Sequence, residues 1–124
     1  TDFERVAPDM DLGGMVKVIS KARRNLFPVV DARGVLLGIV ILDDIRNIMF
    51  RQELYHRFYV SRFMTSPPAR INIEDSMEEV MKKFDDTKAW NLPVVDKEGK
   101  YRGFLSKSRI LNSYRQMLVD FSED

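Results

Sequence analysis

Pro28-Val29-Val30-Asp31, two residues, Gly34, three residues, Gly38: 65 positions later the pattern returns as Pro93-Val94-Val95-Asp96, two residues, Gly99, three residues, Gly103. The match extends on both sides without a gap. Ile45 meets Ile110, Asn47 meets Asn112, and Arg5 and Lys17 meet Arg70 and Lys82. Self-similarity at one fixed offset marks a duplication, here of a unit of about 50 residues.

Each copy yields the same order of elements when read alone. Leu26 to Asp31 and Asn91 to Asp96 are short β-branched runs ending in Asp-Ala-Arg-Gly and Asp-Lys-Glu-Gly, where Asp and Gly supply turn chemistry. Each is the first arm of a hairpin, and Val35 to Ile41 and Tyr101 to Ser106 are the returning arms. Gly38 and Gly103 in those arms suit a bulge or the close approach of another backbone or a ligand. Pro28 and Pro93 donate no ladder hydrogen bond, which leaves backbone near them available to another group.

A helix precedes each hairpin. Ser76 with Glu79 forms a capping box, and Met77, Val80, Met81 and Phe84 recur on one face, predicting a helix from about Ser76 to Lys88. In the first copy Asp11 takes the cap position and Leu12, Met15, Val16 and Ile19 repeat the stripe. Gly13 and Gly14 predict the weaker of the two helices. A second helix closes each copy, led by Ile45, Ile48 and Met49 in the first. In the second, Ile110, Leu111, Tyr114, Met117, Leu118 and Phe121 give a long apolar face of the kind that enters a core, and since two small units cannot bury all such faces, a helix-mediated homodimer interface is also expected. Between the copies, Phe63-Met64-Thr65-Ser66-Pro67 reads as a short helical turn stopped by proline. The expected fold is α/β (α+β), two β-α-β-β-α repeats packed about a pseudo-two-fold axis and divided as residues 1–57 and 58–124.

Composition narrows function by exclusion. The 124 residues are 44% hydrophobic, which suffices for a packed core, and the net charge of +1 provides no field to recruit nucleic acid. With no cysteine, disulfides and thiolate metal sites are absent, which fits a reducing, cytosolic setting. No apolar run reaches the length of about 18 residues that spans a bilayer, and no signal-peptide pattern is present, so a soluble segment is expected. A start at Thr1 suggests an excised fragment of a larger protein.

The duplicated Pro-Val-Val-Asp, Gly, Gly pattern followed by a helix resembles a CBS domain pair, also called a Bateman module, over nearly the whole chain. The resemblance implies tandem repeats with a short helix opening each; Val60 to Thr65 supply it for the second copy, and the first would need residues before Thr1. It also implies a regulatory or assembly role with no catalysis of its own. Phe27-Pro28-Val29-Val30-Asp31 together with Leu36-Leu37-Gly38-Ile39-Val40-Ile41-Leu42-Asp43-Asp44-Ile45-Arg46 looks most like the cytoplasmic region of bacterial CLC-type chloride channels or transporters. That likeness implies a homodimer at the cytoplasmic face of the cell membrane, joined to the transmembrane part of the same polypeptide and influencing its gating. The alternatives are a ligand-independent dimerisation module and the CBS region of another transporter or a metabolic enzyme.

Family members that bind ATP, ADP or AMP commonly place Ser or Thr, two residues, then Asp at the mouth of the last helix. Here the positions hold Ile41 and Asp44 in the first copy and Ser106 and Arg109 in the second, so each departs from the pattern once. The ligand residues implied are Phe27, Pro28, Asp44, Leu92, Pro93, Ser106 and Arg109. A bland reading stands beside this one: Ser106 and Asp43 or Asp44 cap the following helices, Arg109 is a solvated helix residue, and Phe27 and Leu92 are core.

No nucleophile with a base, carboxylate pair or metal-ligand spacing accompanies these residues, so no catalytic or metal site is expected. His56, the single histidine, stands in a basic, aromatic linker and reads as a surface or interface residue. The basic residues Lys21, Arg23, Arg24, Arg46, Arg51, Arg57 and Arg62 are interspersed with acidic ones and lack an aromatic RNA-binding signature, so nucleic acid is not an expected partner.

Overall fold

The computed structural model describes residues 5–122; the side chains of Tyr114, Phe121 and Ser122 lie outside what it describes. Two hairpins organise the molecule. In the first, β1 (Leu26–Val30) pairs antiparallel with β2 (Leu36–Ile41), from Leu26 opposite Ile41 to Val30 opposite Leu36, with a register shift between Val29 and Val30. Helix α1 (Leu12–Lys21) precedes this hairpin and a single helical turn, α2 (Leu42–Ile45), follows it.

After α3 (Val60–Phe63) and the short β3 (Ile71–Asn72), the second copy repeats the plan with α4 (Met77–Thr87), β4 (Asn91–Val95), β5 (Tyr101–Ser106) and α5 (Lys107–Ser122). Asn91 lies opposite Ser106 and the register shifts between Val94 and Val95, each position 65 residues beyond its mate. Parallel pairing also repeats: Val6 bridges Val29 in the first copy, and Ile71 lies beside Val94 in the second. The duplication read from Pro and Gly spacing is therefore a duplication of hydrogen-bond register.

Local chemistry explains the helix starts. The Asp11 carboxylate accepts from the Gly14 N–H at 2.8 Å, and Ser76 and Glu79 complete a reciprocal capping box at the start of α4. Leu12, Met15 and Ile19 face the first core with Phe27, Val29, Val40, Ile45 and Val60. Val80 and Phe84 of α4 face the second with Ile71, Leu92 and Ile110. Each copy thus buries its own helix stripe against its own hairpin.

The copies join at their turns. Leu36 N–H donates to the Gly99 carbonyl at 3.0 Å and Tyr101 N–H to the Gly34 carbonyl at 2.9 Å. Leu36 and Tyr101 are repeat mates, as are Gly34 and Gly99, so the two bonds exchange places under a pseudo-two-fold rotation. Val30, Leu36, Val95 and Tyr101 pack into a third apolar cluster at this junction.

Several expectations require correction. The first closing helix is one turn long, ending at Ile45; Ile48 and Met49 still pack against the core, but from successive turns. The long apolar face of α5 is core only at its start: Ile110 is buried, whereas Met117, Leu118 and Val119 are exposed, and Tyr114 and Phe121 fall outside the described side chains. The helical turn before the second copy is Val60–Phe63, and Met64 and Thr65 run extended, because Thr65 exchanges two backbone hydrogen bonds with Ile39 on the outer edge of β2. Val35 lies outside β2 and bridges Lys100 of the other copy.

Candidate ligand cleft between the two copies

The loop leaving α1 and the open ends of both hairpins enclose a cleft of about 480 Å³ lined by Arg23, Arg24, Asn25, Leu26, Asn91 and Phe104. Its placement follows from the register. Leu26 and Ile41 are paired at the open end of the first hairpin, Asn91 and Ser106 at that of the second, so strand starts and helix starts come together there. Leu42 N–H donates to the Asn25 carbonyl at 2.8 Å and Lys107 N–H to the Trp90 carbonyl at 2.8 Å, the same clamp in each copy. Phe104 is held edge-on to Tyr101, with ring centroids 5.7 Å apart.

Two guanidinium groups and no carboxylate line this cleft, beside two carboxamides, a leucine and an aromatic ring. Guanidinium forks match phosphate oxygens, carboxamides both donate and accept, and the apolar wall accommodates a flat ring. The arrangement can hold an anionic ligand with a planar, hydrogen-bonding portion.

The seven residues implied by the sequence resemblance sit around this cleft's end of the hairpins, and none is among the six that line it. Phe27, Leu92, Pro28 and Pro93 are fully buried side chains of the cores. Strand alternation accounts for Phe27 and Leu92: with these turned inward, their predecessors Leu26 and Asn91 turn toward the cleft. Asp44 is exposed in the first turn of α2, where its carboxylate makes no hydrogen bond or ion pair with the described residues. Neither it nor Asp43 caps that helix; the N-cap is Ile41, which has no side-chain acceptor to offer. Ser106 does cap α5, its hydroxyl accepting from the Arg109 N–H at 3.1 Å, and the Arg109 side chain is exposed.

His56 lies far from the cleft in sequence and is held by Asp11, Nδ1 to Oδ2 at 2.9 Å, tying the linker to the cap of α1. That bond and the Gly14 N–H hold the Asp11 carboxyl below its ordinary value, the backbone bond being the larger cause. Among the described residues no helix is long and apolar enough to cross a membrane.

A family model, the CBS domain, matches residues 1–51 and again residues 60–116. The inosine-5'-monophosphate dehydrogenase of Aquifex aeolicus (strain VF5) is 34% identical over 106 residues, which cover 82% of this chain and 20% of that protein. The chain thus spans about a fifth of the length of that curated relative. Among solved structures, CbpB in complex with c-di-AMP superposes with a TM-score of 0.79 at 17% identity, covering 98% of this chain and 83% of that one. CBSX2 in complex with AMP gives 0.74 at 24% identity over 94% and 90%. With the family matched twice, on both halves of the duplication and on the fold that carries them, the chain belongs to the CBS domain family as a tandem pair.

Proposed function

We propose that this pair is the regulatory module of a longer polypeptide, divided at residues 57 and 58, and that it binds an adenine nucleotide in the cleft between its copies. The observation that carries the reading is the lining: Arg23 and Arg24 beside Leu26, Asn91 and Phe104, with no carboxylate to repel a phosphate. The AMP and c-di-AMP complexes of two similar structures support the ligand class. Arg23 and Arg24 face the phosphate, Phe104 and Leu26 the base, and Asp44 accepts from the ribose at the adjoining helix start. Phe27, Pro28, Leu92 and Pro93 back the cleft and set its width, while Ser106 and Arg109 stand at the opposite helix start. Binding in a cleft shared by two copies favours their closed arrangement, and that difference in affinity is what a host could read.

For the host, the stretch from Leu36 to Arg46 supports a CLC-type chloride channel or transporter, with the module at the cytoplasmic face of the membrane. The 34% match to a dehydrogenase favours a second host class, a metabolic enzyme carrying the pair as its control region. In either host the pair would act as a homodimer, for which the exposed Met117, Leu118 and Val119 on α5 offer an apolar surface.

Thermal unfolding with millimolar AMP, ADP, ATP or c-di-AMP tests the ligand reading. One nucleotide should raise Tm by several degrees, and Arg23→Ala with Arg24→Ala should remove the shift. No shift with any of the four would leave the pair as a ligand-independent dimerisation element.

A further inference from the structure

At the opposite end of the hairpins the two turns meet over a hollow of about 410 Å³, separate from the nucleotide cleft in every lining residue. We propose that this hollow is a second anion site, taking a compact polyvalent group such as pyrophosphate between Arg5, Arg33, Lys100 and Arg102.

The charge balance points there first. The lining holds those four cations and a single carboxylate, Asp96. That carboxylate is committed to its own turn, where Oδ1 accepts from the Glu98 N–H at 3.0 Å and the Lys100 N–H at 2.9 Å; its second oxygen lies 3.6 Å from Arg102 Nη1. Among the described residues no ion pair neutralises Arg5, Arg33 or Lys100; Arg5 lies over the Tyr101 ring, 5.2 Å from its centroid. Four cations around one carboxylate leave a net positive charge that favours an anion between them.

The repeat supplies an internal control. The mates of Lys100, Tyr101 and Arg102 are Val35, Leu36 and Leu37, and the mate of Arg33 is Glu98. At Val35 and Leu37 the first copy makes the same register with apolar residues, so folding does not require Lys100 or Arg102. The hollow is thus a feature of one side of a pseudo-symmetric molecule, added to a backbone that does without it.

Tyr101 is the second, independent observation. It lines the hollow at 3% exposure, and its hydroxyl has no hydrogen-bond partner among the described residues. Leu36 fills the equivalent position at 5% exposure with no polar atom to satisfy. A buried hydroxyl is retained where a leucine packs, with the charges of Arg24 and Arg5 acting on it, and an anion held beside Arg5 would offer it a partner. Burial pushes this phenol up to about 12, so it remains a donor at neutral pH.

Amide shift mapping with inorganic pyrophosphate tests the proposal on the whole chain, with AMP as the parallel arm. Pyrophosphate should saturably move the Gly34, Lys100, Tyr101 and Arg102 amides. Lys100→Val with Arg102→Leu, the residues the first copy carries, should weaken that response about tenfold or more. Tyr101→Phe should weaken it less, and the AMP response at Asn25 and Asn91 should survive in all variants. Should the double variant fail to give a dispersed spectrum, Arg33→Glu carries the same expectation from an exposed turn. Unaltered pyrophosphate affinity in the variants, or shifts scattered over every surface Lys and Arg, would overturn the site. Loss of the AMP response alone would strike only the nucleotide reading.

Discussion

The two hairpins agree in register at every pair and disagree in what covers them. On the first, Thr65 lies along the outer edge of β2, exchanging bonds of 2.9 and 2.8 Å with Ile39. On the second, the equivalent edge at Phe104 carries no such bridge among the described residues, and a Cβ placed on Gly103 would meet nothing within 4 Å. Register and turn are thus shared, being fixed by turn chemistry and proline, whereas the surfaces, and the backbone at Gly38 and Gly103, differ. One hairpin edge is filled by the connection between copies, one hairpin turn is rich in cations, and the cleft draws residues from both.

The largest expected contrast lies at the paired glycines. A Cβ on Gly38 would fall 2.8 Å from the Thr65 carbonyl oxygen, a backbone atom that cannot move without breaking the bridge to Ile39. Gly38→Ala should therefore lower stability by about 2 to 3 kcal/mol, as overpacking does. Gly103 has room but a φ of +134°, so Gly103→Ala should lower stability by about 1 to 2 kcal/mol through backbone strain alone. Denaturant unfolding of both variants measures the difference, and equal losses would show that the second edge is covered as the first is.

A smaller effect is expected where the copies meet. Tyr101→Leu copies the residue at Leu36 and removes a buried hydroxyl without a partner, so it should be neutral or raise stability by about 1 kcal/mol in the absence of any anion. The same melts in pyrophosphate should narrow that advantage.

The smallest contrast concerns the turns, which should behave alike. The Val35 N–H holds the Asp31 carboxyl below its ordinary value, and the Lys100 N–H does the same for Asp96, each aided by a second backbone N–H in its turn. A carboxyl depressed on folding contributes stability that is fully present above its unfolded value, near 3.8, and is lost as pH falls through the lower folded value. Stability should hold down to about pH 4 and decline below it, and Asp31→Asn and Asp96→Asn should each flatten that decline by a similar amount. Acid titrations of the melting temperature read this directly.

Much of the fold was legible because its signals are local. Asp11, Ser76 and Glu79 cap helices by reaching three residues along the chain, and Asp-x-x-Gly sets each turn without help from elsewhere. The elements misjudged were those decided by distant partners. Ile45, Ile48 and Met49 have helical spacing and do pack inward, yet the chain turns after Ile45 to reach the linker. The outer residues of α5 continue the apolar stripe, yet Met117 and Val119 are exposed, because the core ends near Ile110.

The cleft was only half legible. Phe27 and Leu92 are buried in the cores, and their strand neighbours Leu26 and Asn91 line the opening. Phe104 gave no signal at all, because its place there depends on how its ring packs edge-on to Tyr101 of the same strand.

The most direct measurement is amide shift mapping of the domain during a titration with AMP. The account predicts saturable shifts centred on Arg23 to Leu26, Asn91 and Phe104, abolished by Arg23→Ala with Arg24→Ala. Binding centred elsewhere, or no shift at millimolar nucleotide, would contradict it.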